Sequence, residues 1–325
     1  MEPRKHSSPR IVFIGAHLES YAPFQLLIER GDNIVGFVTL TADRLEKMSA
    51  GTDLTELAAG AQIPQLRVGN VNHPEAIEWI RNAEPDLILV VGWTQLLKPE
   101  LLRLPKIACL GFHASLLPKY RGRAPVNWAI INGEAVTGNS MITLEPEADT
   151  GDIVAQRTIP ILEEDDCNTI YQKVGQSEVE MLEEVLPLIE RGILPRIKQD
   201  DSLATVMPKR RPEDGLIDWN RSARELYNWV RALTDPYPGA FTFVNQEKVW
   251  IWKAQIENEP MIHGGAKAGE VRINREGWLV VASADGWIRL VTVQREGGPK
   301  VSGQAASASF LFEGAVLGEP LGAAL

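Results

Sequence analysis

The sequence predicts an α/β fold in which a Rossmann-like, mostly parallel sheet with helices on both faces is followed by a small antiparallel, OB-like β-barrel. Three observations lead to this prediction. Short branched apolar runs alternate with helix-like stretches, and one of them, Leu87–Val91, is apolar throughout, as in a buried parallel strand. Beyond residue 212 the pattern changes to one helix followed by strands. The length of 325 residues favours two domains, which we place at 10–203 and 204–318.

Periodicity and end signals place the elements of the first domain. Branched apolar runs predict strands, and amphipathic stretches bounded by Pro or Gly predict helices. The predicted strands are 11–14, 34–38, 87–91, 107–110, 140–144 and 153–161, and the predicted helices are 23–30, 54–61, 74–82, 124–132 and 166–191.

The second domain is predicted to hold one helix and an antiparallel sheet. Turn signals such as Asp285-Gly286 separate its apolar runs. The helix covers 223–233, and the strands cover 249–256, 270–273, 278–282 and 287–293. The tail, 302–325, is rich in Ala, Gly and Ser, and we expect it to fray.

Composition excludes several classes of function. No apolar run is long enough to cross a bilayer, and residues 1–10 lack the apolar stretch of a signal peptide, so we expect a cytoplasmic protein with no membrane partner. The two cysteines have no metal-binding spacing. The net charge of −10 argues against a protein whose main role is to grip phosphate backbones.

The most informative segment follows the predicted strand 107–110. The chain leads from this strand through two residues to His113, at the carboxyl end of a parallel strand, where open α/β sheets bind ligands. A loop with Pro118 and Gly122 follows, and Asp149 precedes a glycine further on. Without His113, Asp149 is best interpreted as a turn residue.

The pattern His113-x-Ser115-Leu-Leu-Pro118-x-x-x-Gly122, followed by Asp149-x-Gly151, resembles the folate-dependent formyltransferases. Within that family, Pro118-Lys-Tyr-Arg-Gly-Arg-Ala-Pro125 is similar to the sugar-nucleotide N-formyltransferases, such as the module of the bacterial aminoarabinose pathway. Segments between residues 211 and 241 resemble the same module, so the resemblance covers about residues 10 to 300.

The resemblance implies an enzyme that transfers a formyl group from 10-formyltetrahydrofolate to an amine without a metal. His113 would donate to the oxyanion that develops on the formyl oxygen, and Asp149 would orient the imidazole and favour its charged form. Gly111 stands where the family has an Asn, and loss of one such donor costs roughly 3 to 4 kcal/mol. A water molecule or the amide of Gln95 could replace the donor, or the chain could be a degenerate binding protein.

The family pattern also implies binding residues. Ser115 joins Gly111 and Gln95 as support for the oxyanion site or its loop. The folate would lie between two segments of backbone, with the contacts assigned to Gln95, Leu96, Leu97, Glu147, Ala148 and Asp149.

The acceptor is expected to be a small-molecule amine. Lys119, Arg121 and Arg123, with Gly122 between them, form a basic loop suited to a phosphate or pyrophosphate, although a solvated charged loop remains an equal alternative. The resemblance favours a nucleotide-linked amino sugar. Methionyl-tRNA is the second choice of acceptor. The tRNA enzymes carry a basic insertion where this chain has residues 41–47, and here acidic and basic residues balance in that segment. Another small amine and a homodimer stay open.

Overall fold

The computed structural model describes residues 8–258, 265–307 and 309–318. Contacts divide the chain into two compact units. The first consists of Met1–Pro125, Val136–Pro160 and Ile170–Pro208, and the second of Val126–Ala135, Ile161–Thr169 and Lys209–Leu325. The predicted boundary at residue 203 stays a prediction, since two short segments interleave between the units.

A mostly parallel sheet forms the centre of the first unit. Its strand order is β3-β2-β1-β4-β5-β7-β8, with β7 antiparallel to both of its neighbours and the other pairs parallel. These strands are β1 (Ile11–Gly15), β2 (Ile34–Leu40), β3 (Gln65–Val68), β4 (Leu87–Val91), β5 (Ala108–His113), β7 (Val136–Thr143) and β8 (Ile153–Pro160), and a separate parallel pair is formed by β6 (Arg121–Gly122) and β9 (Val206–Met207).

Both faces of this sheet are buried. Alternate residues of β1 belong to different apolar clusters, with Phe13 on one face and Val12 on the other. This arrangement confirms the predicted fold class, because a sheet covered on both faces needs strands that are apolar throughout. The helices are α1 (Tyr21–Arg30), α2 (Ala42–Glu46), α3 (Thr55–Gly60), α4 (Pro74–Asn82), α5 (Pro99–Leu102), α6 (Pro125–Ile131), α7 (Cys167–Glu190), α8 (Ala223–Leu233) and α9 (Gly303–Ala306), and short 3₁₀ helices lie at Leu18–Ser20, Asp201–Leu203 and Pro212–Gly215.

Strand β5 differs from its prediction. It was expected to end at residue 110, but it continues to His113 because β7 pairs with it from Leu110 opposite Thr143 to His113 opposite Ser140. His113 is therefore the last residue of a paired strand. Long-range pairing of this kind leaves no signal in the local sequence.

The second unit contains an antiparallel sheet, as predicted. The strand order is β10-β11-β14-β13-β12, and β15 pairs with β14. The strands are β10 (Ala240–Val244), β11 (Glu247–Ile256), β12 (Val271–Ile273), β13 (Leu279–Ala282), β14 (Trp287–Arg295) and β15 (Lys300–Ser302).

The expectation of a frayed tail is wrong for the part of the tail that the structure describes. Leu311 and Leu317 are buried, and the Leu317 amide donates to the carbonyl of Gly269. Burial of these apolar side chains favours an ordered chain despite the small residues around them. Residues 308 and 319–325 lie outside the described part. None of the described helices is both long and apolar enough to span a membrane.

Candidate functional site

His113 lies in a nearly closed environment with an acceptor at each ring nitrogen. Nε2 lies 2.7 Å from the backbone oxygen of Tyr120, and Nδ1 lies 3.5 Å from Oδ1 of Asp149. The residue is 8% exposed. Since the Tyr120 carbonyl can only accept, Nε2 is the donor in that contact. The contact to Asp149 is long for a hydrogen bond, so Nδ1 is the less tightly held nitrogen.

Asp149 is fixed through both its side chain and its backbone. Its Oδ2 accepts a hydrogen bond of 2.8 Å from the amide of Gly122, and its φ of +60° lies in the left-handed region. The side-chain amide of Gln199 donates to the backbone oxygens of Asp149 and Gly151, at 2.8 and 2.7 Å. A side chain at position 151 would put its Cβ 1.6 Å from the Thr143 oxygen, which explains the glycine. Strained backbone held this firmly is typical of functional sites.

The loop after His113 is held by internal hydrogen bonds. Ser115 Oγ donates to the backbone oxygen of Lys119, so the structure places Ser115 as a brace of the loop. Gly122 has φ of +100°, and a Cβ there would lie 2.5 Å from the Met207 oxygen. The loop therefore packs closely against β9. This contact fixes the position of the Gly122 amide, which donates the hydrogen bond to Asp149.

The three basic residues of the loop do not form one patch. Arg121 is buried, and its guanidinium donates to Oε1 of Gln199 and pairs with Asp201 at 2.6 Å. Arg123 donates to the backbone oxygen of Thr94. Lys119 is exposed, and no ion pair is found for it in the described part of the chain. The interpretation of Arg121 as a phosphate ligand is corrected here, because its guanidinium is already occupied inside the unit.

The surroundings of Gly111 correct two of the explanations offered for its missing amide. An ideal Cβ at position 111 would lie 2.6 Å from Cδ2 of Leu144, so the space beside Gly111 is filled by a side chain and has no room for a water molecule. The Gln95 amide accepts from the Val71 amide and donates to the Gly69 oxygen. Both ends of that amide are therefore in use.

A cleft of about 340 Å³ is lined by residues that are close in the chain to the two segments predicted to bind folate, although none of the predicted folate-binding residues lines it. Among its lining residues, Pro99 is two positions after Leu97, and Pro146 is one position before Glu147. Leu97 is buried, whereas Leu96, Glu147 and Ala148 are exposed. The residues that line the cleft are Pro99, Leu102, Arg103, Pro105, Ile107, Ala108, Cys109, Thr143, Leu144, Glu145, Pro146 and Arg196.

Sequence reasoning missed most of this lining. The sequence around Leu102, Cys109 and Leu144 is typical of a hydrophobic core. The one signal for a role in binding was that they lie near the predicted folate-binding segments in the chain. Burial raises the pKa of the Cys109 thiol to about 12, so Cys109 is an apolar wall residue rather than a nucleophile. The lining combines apolar side chains such as Leu102 and Leu144 with polar ones such as Arg103, a mixture that suits a heteroaromatic ring with polar edges. Among the residues that the structure describes, no group of three or more His, Cys, Asp or Glu side chains is placed to hold a metal ion.

The chain belongs to the formyl transferase family. Residues 33–186 match the formyl transferase domain, and residues 209–310 match the formyl transferase C-terminal domain. This result confirms the family that the His113 motif predicts. The family uses 10-formyltetrahydrofolate, which confirms the predicted formyl donor.

Two curated relatives correct the predicted acceptor. The chain is 37% identical over 315 residues to a methionyl-tRNA formyltransferase of Geobacter sulfurreducens, which covers 95% of this chain and 97% of the relative. It is 38% identical over 291 residues to a methionyl-tRNA formyltransferase of Citrifermentans bemidjiense, with 89% of each chain covered. The expectation of a nucleotide-linked amino sugar is therefore wrong, since the relatives that match nearly the whole chain at this identity are methionyl-tRNA formyltransferases.

Solved structures share the fold at lower identity. HypX from Aquifex aeolicus, in complex with tetrahydrofolic acid, has a TM-score of 0.66 at 22% identity, over 94% of this chain and 49% of that chain. This chain thus spans about half the length of HypX. WlaRD, a sugar 3N-formyl transferase solved with dTDP and 5-N-formyl-THF, has a TM-score of 0.63 at 18% identity, over 90% of this chain and 99% of that one. At these identities the likeness establishes the fold alone.

Proposed function

We propose that this protein transfers the formyl group of 10-formyltetrahydrofolate to the α-amine of methionyl-tRNA. The observation that carries the acceptor is the similarity, over nearly the whole chain, to two methionyl-tRNA formyltransferases. The observation that carries the reaction is His113 facing a fixed Asp149, with Nδ1 of the histidine 3.5 Å from Oδ1 of the aspartate.

The cleft, His113 and Asp149 have separate roles in the proposed reaction. The cleft between residues 99–109 and 143–146 holds the folate ring, and the donor supplies the formyl carbon. His113 presents Nδ1, the nitrogen with the longer contact, to the formyl oxygen on which negative charge develops. Asp149 lies beside Nδ1, stabilises positive charge on the ring and is a base that takes the proton of the attacking amine. Collapse of the tetrahedral intermediate breaks the bond between the formyl carbon and N10, and that proton passes to N10 of the departing tetrahydrofolate.

A basic stretch in the second unit supports a nucleic-acid acceptor. Lys209 and Arg211 are exposed, and no acidic partner is found for their side chains in the described residues. Arg210, between them, packs over the rings of Trp128 and Trp229, with its Cζ 4.9 and 4.7 Å from the ring centroids. Anchoring Arg210 holds this stretch at the surface, where lysine and arginine can contact phosphates despite the net charge of −10.

The test is a formylation assay with four acceptors: methionyl-tRNA, uncharged tRNA, a dTDP-linked amino sugar and no acceptor. We expect formylmethionyl-tRNA and stoichiometric tetrahydrofolate with the first acceptor alone. His113→Ala should reduce the rate by about 10² to 10⁴-fold, as for loss of an acid or base. Equal or faster turnover of the amino sugar would overturn the proposal.

Gly111 favours a second candidate, a protein that binds folate and tRNA without turnover. No side chain at position 111 can hold the formyl oxygen, and Gln95 is occupied elsewhere. This candidate predicts that wild-type protein binds both ligands in equilibrium assays while producing no formylmethionyl-tRNA. Measurable turnover that is lost in His113→Ala excludes it.

A further inference from the structure

One side chain, Leu144, borders two places that matter for the reaction. It follows β7, and its amide donates to the Cys109 oxygen at 2.9 Å, so it lies across from Cys109 on the neighbouring strand. Gly111 is two residues from Cys109 on the same face of β5 and is therefore a diagonal neighbour of Leu144. The position of a Cβ on Gly111 lies 2.6 Å from Cδ2 of Leu144 and 3.2 Å from its Cγ.

The same Leu144 lines the cleft between residues 99–109 and 143–146. It is half-buried and packs against the apolar cluster that contains Cys109. The face of β5 that carries Gly111 also carries His113, two residues further on. A single isobutyl group thus forms part of the cleft wall and covers the strand next to the histidine.

We propose that Leu144 determines how the site accepts the formyl donor, and that position 111 is glycine because Leu144 occupies its side-chain space. The inference rests on the proposed function, since it places the donor in the cleft. Any side chain at position 111 must displace the end of Leu144. The cleft is the open space that Leu144 borders, so displacement into it narrows the donor site.

Single and double variants test this coupling. We expect Gly111→Asn to weaken binding of 5-formyltetrahydrofolate, a non-reactive formyl folate, by about tenfold, because Leu144 is forced into the cleft. Leu144→Ala removes the obstacle, so Gly111→Asn combined with Leu144→Ala should bind about as well as Leu144→Ala alone. The measurement is fluorescence or calorimetric titration.

Leu102 provides a matched control. It is also a half-buried leucine of the cleft, but it is not among the atoms nearest to a Cβ at Gly111. Leu102→Ala should therefore not rescue Gly111→Asn. Rescue by both alanines alike, or wild-type affinity in Gly111→Asn, would overturn the inference.

The free energy of unfolding separates this inference from the proposed function. If the wild-type protein binds no formyl folate, the proposed function fails, but the coupling is still measurable in urea. Gly111→Asn should then be destabilised, and Leu144→Ala should recover part of that loss in the double variant. Additive effects of the two substitutions on stability would contradict the coupling of Gly111 and Leu144.

Discussion

Position 122 shows how strictly the backbone around His113 is specified. Gly122 combines a φ of +100° with a Cβ position 2.5 Å from the Met207 oxygen, whereas Gly31, with a φ of +72°, has open space around it. We expect Gly31→Ala to lower the free energy of unfolding by about 1 kcal/mol, from the left-handed backbone alone. Gly122→Ala should lower it by about 3 kcal/mol, since the contact with β9 adds to the strain.

Urea denaturation of the two alanine variants measures this difference directly. Gly122→Ala should also slow turnover, because the amide of Gly122 is a hydrogen-bond donor to Asp149. Equal destabilisation by the two substitutions would show that the contact with Met207 does not restrict position 122.

Single residues divide into those that the sequence reveals and those that it does not. His113 and Asp149 were identifiable because they lie in one compact motif. Gln199, which holds the backbone of Asp149, lies fifty residues further on and carries no local signal. The sequence showed that Gly111 departs from the family pattern. The reason for the glycine is its contact with Leu144, and the two residues are neighbours only because β5 and β7 pair.

At the scale of elements, the pairing of β6 with β9 depends on a buried charge. Arg121 in β6 donates to Gln199 and pairs with Asp201. We expect Arg121→Ala to reduce the free energy of unfolding by about 1.5 to 3 kcal/mol, because the buried Gln199 amide loses its charged donor, whereas the exposed Asp201 can be hydrated. Lys119→Ala, the exposed neighbour, should stay within about 0.5 kcal/mol of wild type.

Thermal and urea unfolding of these variants tests the assignment of Arg121 as a structural residue of the loop rather than a phosphate ligand. A ligand for phosphate would raise the KM for the acceptor while leaving stability unchanged. Loss of a structural residue lowers stability and, through Gln199 and Asp149, lowers kcat.

The basic stretch 209–211 is a second element with a measurable contribution. Replacing Lys209 and Arg211 together by Ala should reduce the slope of log affinity for tRNA against log salt by about 1 for each phosphate that the protein no longer neutralises. Lys106→Ala, which removes an exposed lysine paired with Asp86, is the control and should leave the slope unchanged. An unchanged slope in the double variant would place the phosphate-binding residues elsewhere.

Elements whose ends carry their own signals were predictable to the residue. Helix α4 begins at a proline, and α8 begins after Ser222 with a capping box to Glu225, so both match their predicted bounds. Strand β5 was predicted to end three residues too early, because its last residues are strand only through β7. The described part of the tail, which ends at residue 318, was misjudged for the same reason, since Val316 and Gly318 form bridges to distant residues.

For the whole molecule, a buried carboxyl in α7 makes stability depend on pH. Glu178 is 1% exposed, and burial raises its pKa well above the usual value, with a further contribution from the nearby Glu19. The folded state therefore holds a proton that the unfolded state releases at lower pH. This contribution is fully present below the unfolded pKa of about 4.3 and is lost as pH rises towards the folded pKa, at about 1.4 kcal/mol per unit.

We expect Glu178→Gln, which keeps the shape without the ionisable proton, to be more stable than wild type at pH 8 but not at pH 4. Urea midpoints at half-unit pH intervals measure the difference. Glu183→Gln, at an exposed position of the same helix, should parallel wild type. Parallel curves for wild type and Glu178→Gln would contradict this account.

The extension of β5 to His113 has a consequence for timing. The histidine belongs to β5, which is hydrogen-bonded to β7 inside the sheet, and its Nε2 donates to the Tyr120 carbonyl, so its position changes only when β5 and β7 separate. Sheet opening is slow and infrequent compared with loop motion. The imidazole is thus in place before either substrate arrives, and arrival and departure of substrates must occur around a stationary acid–base group.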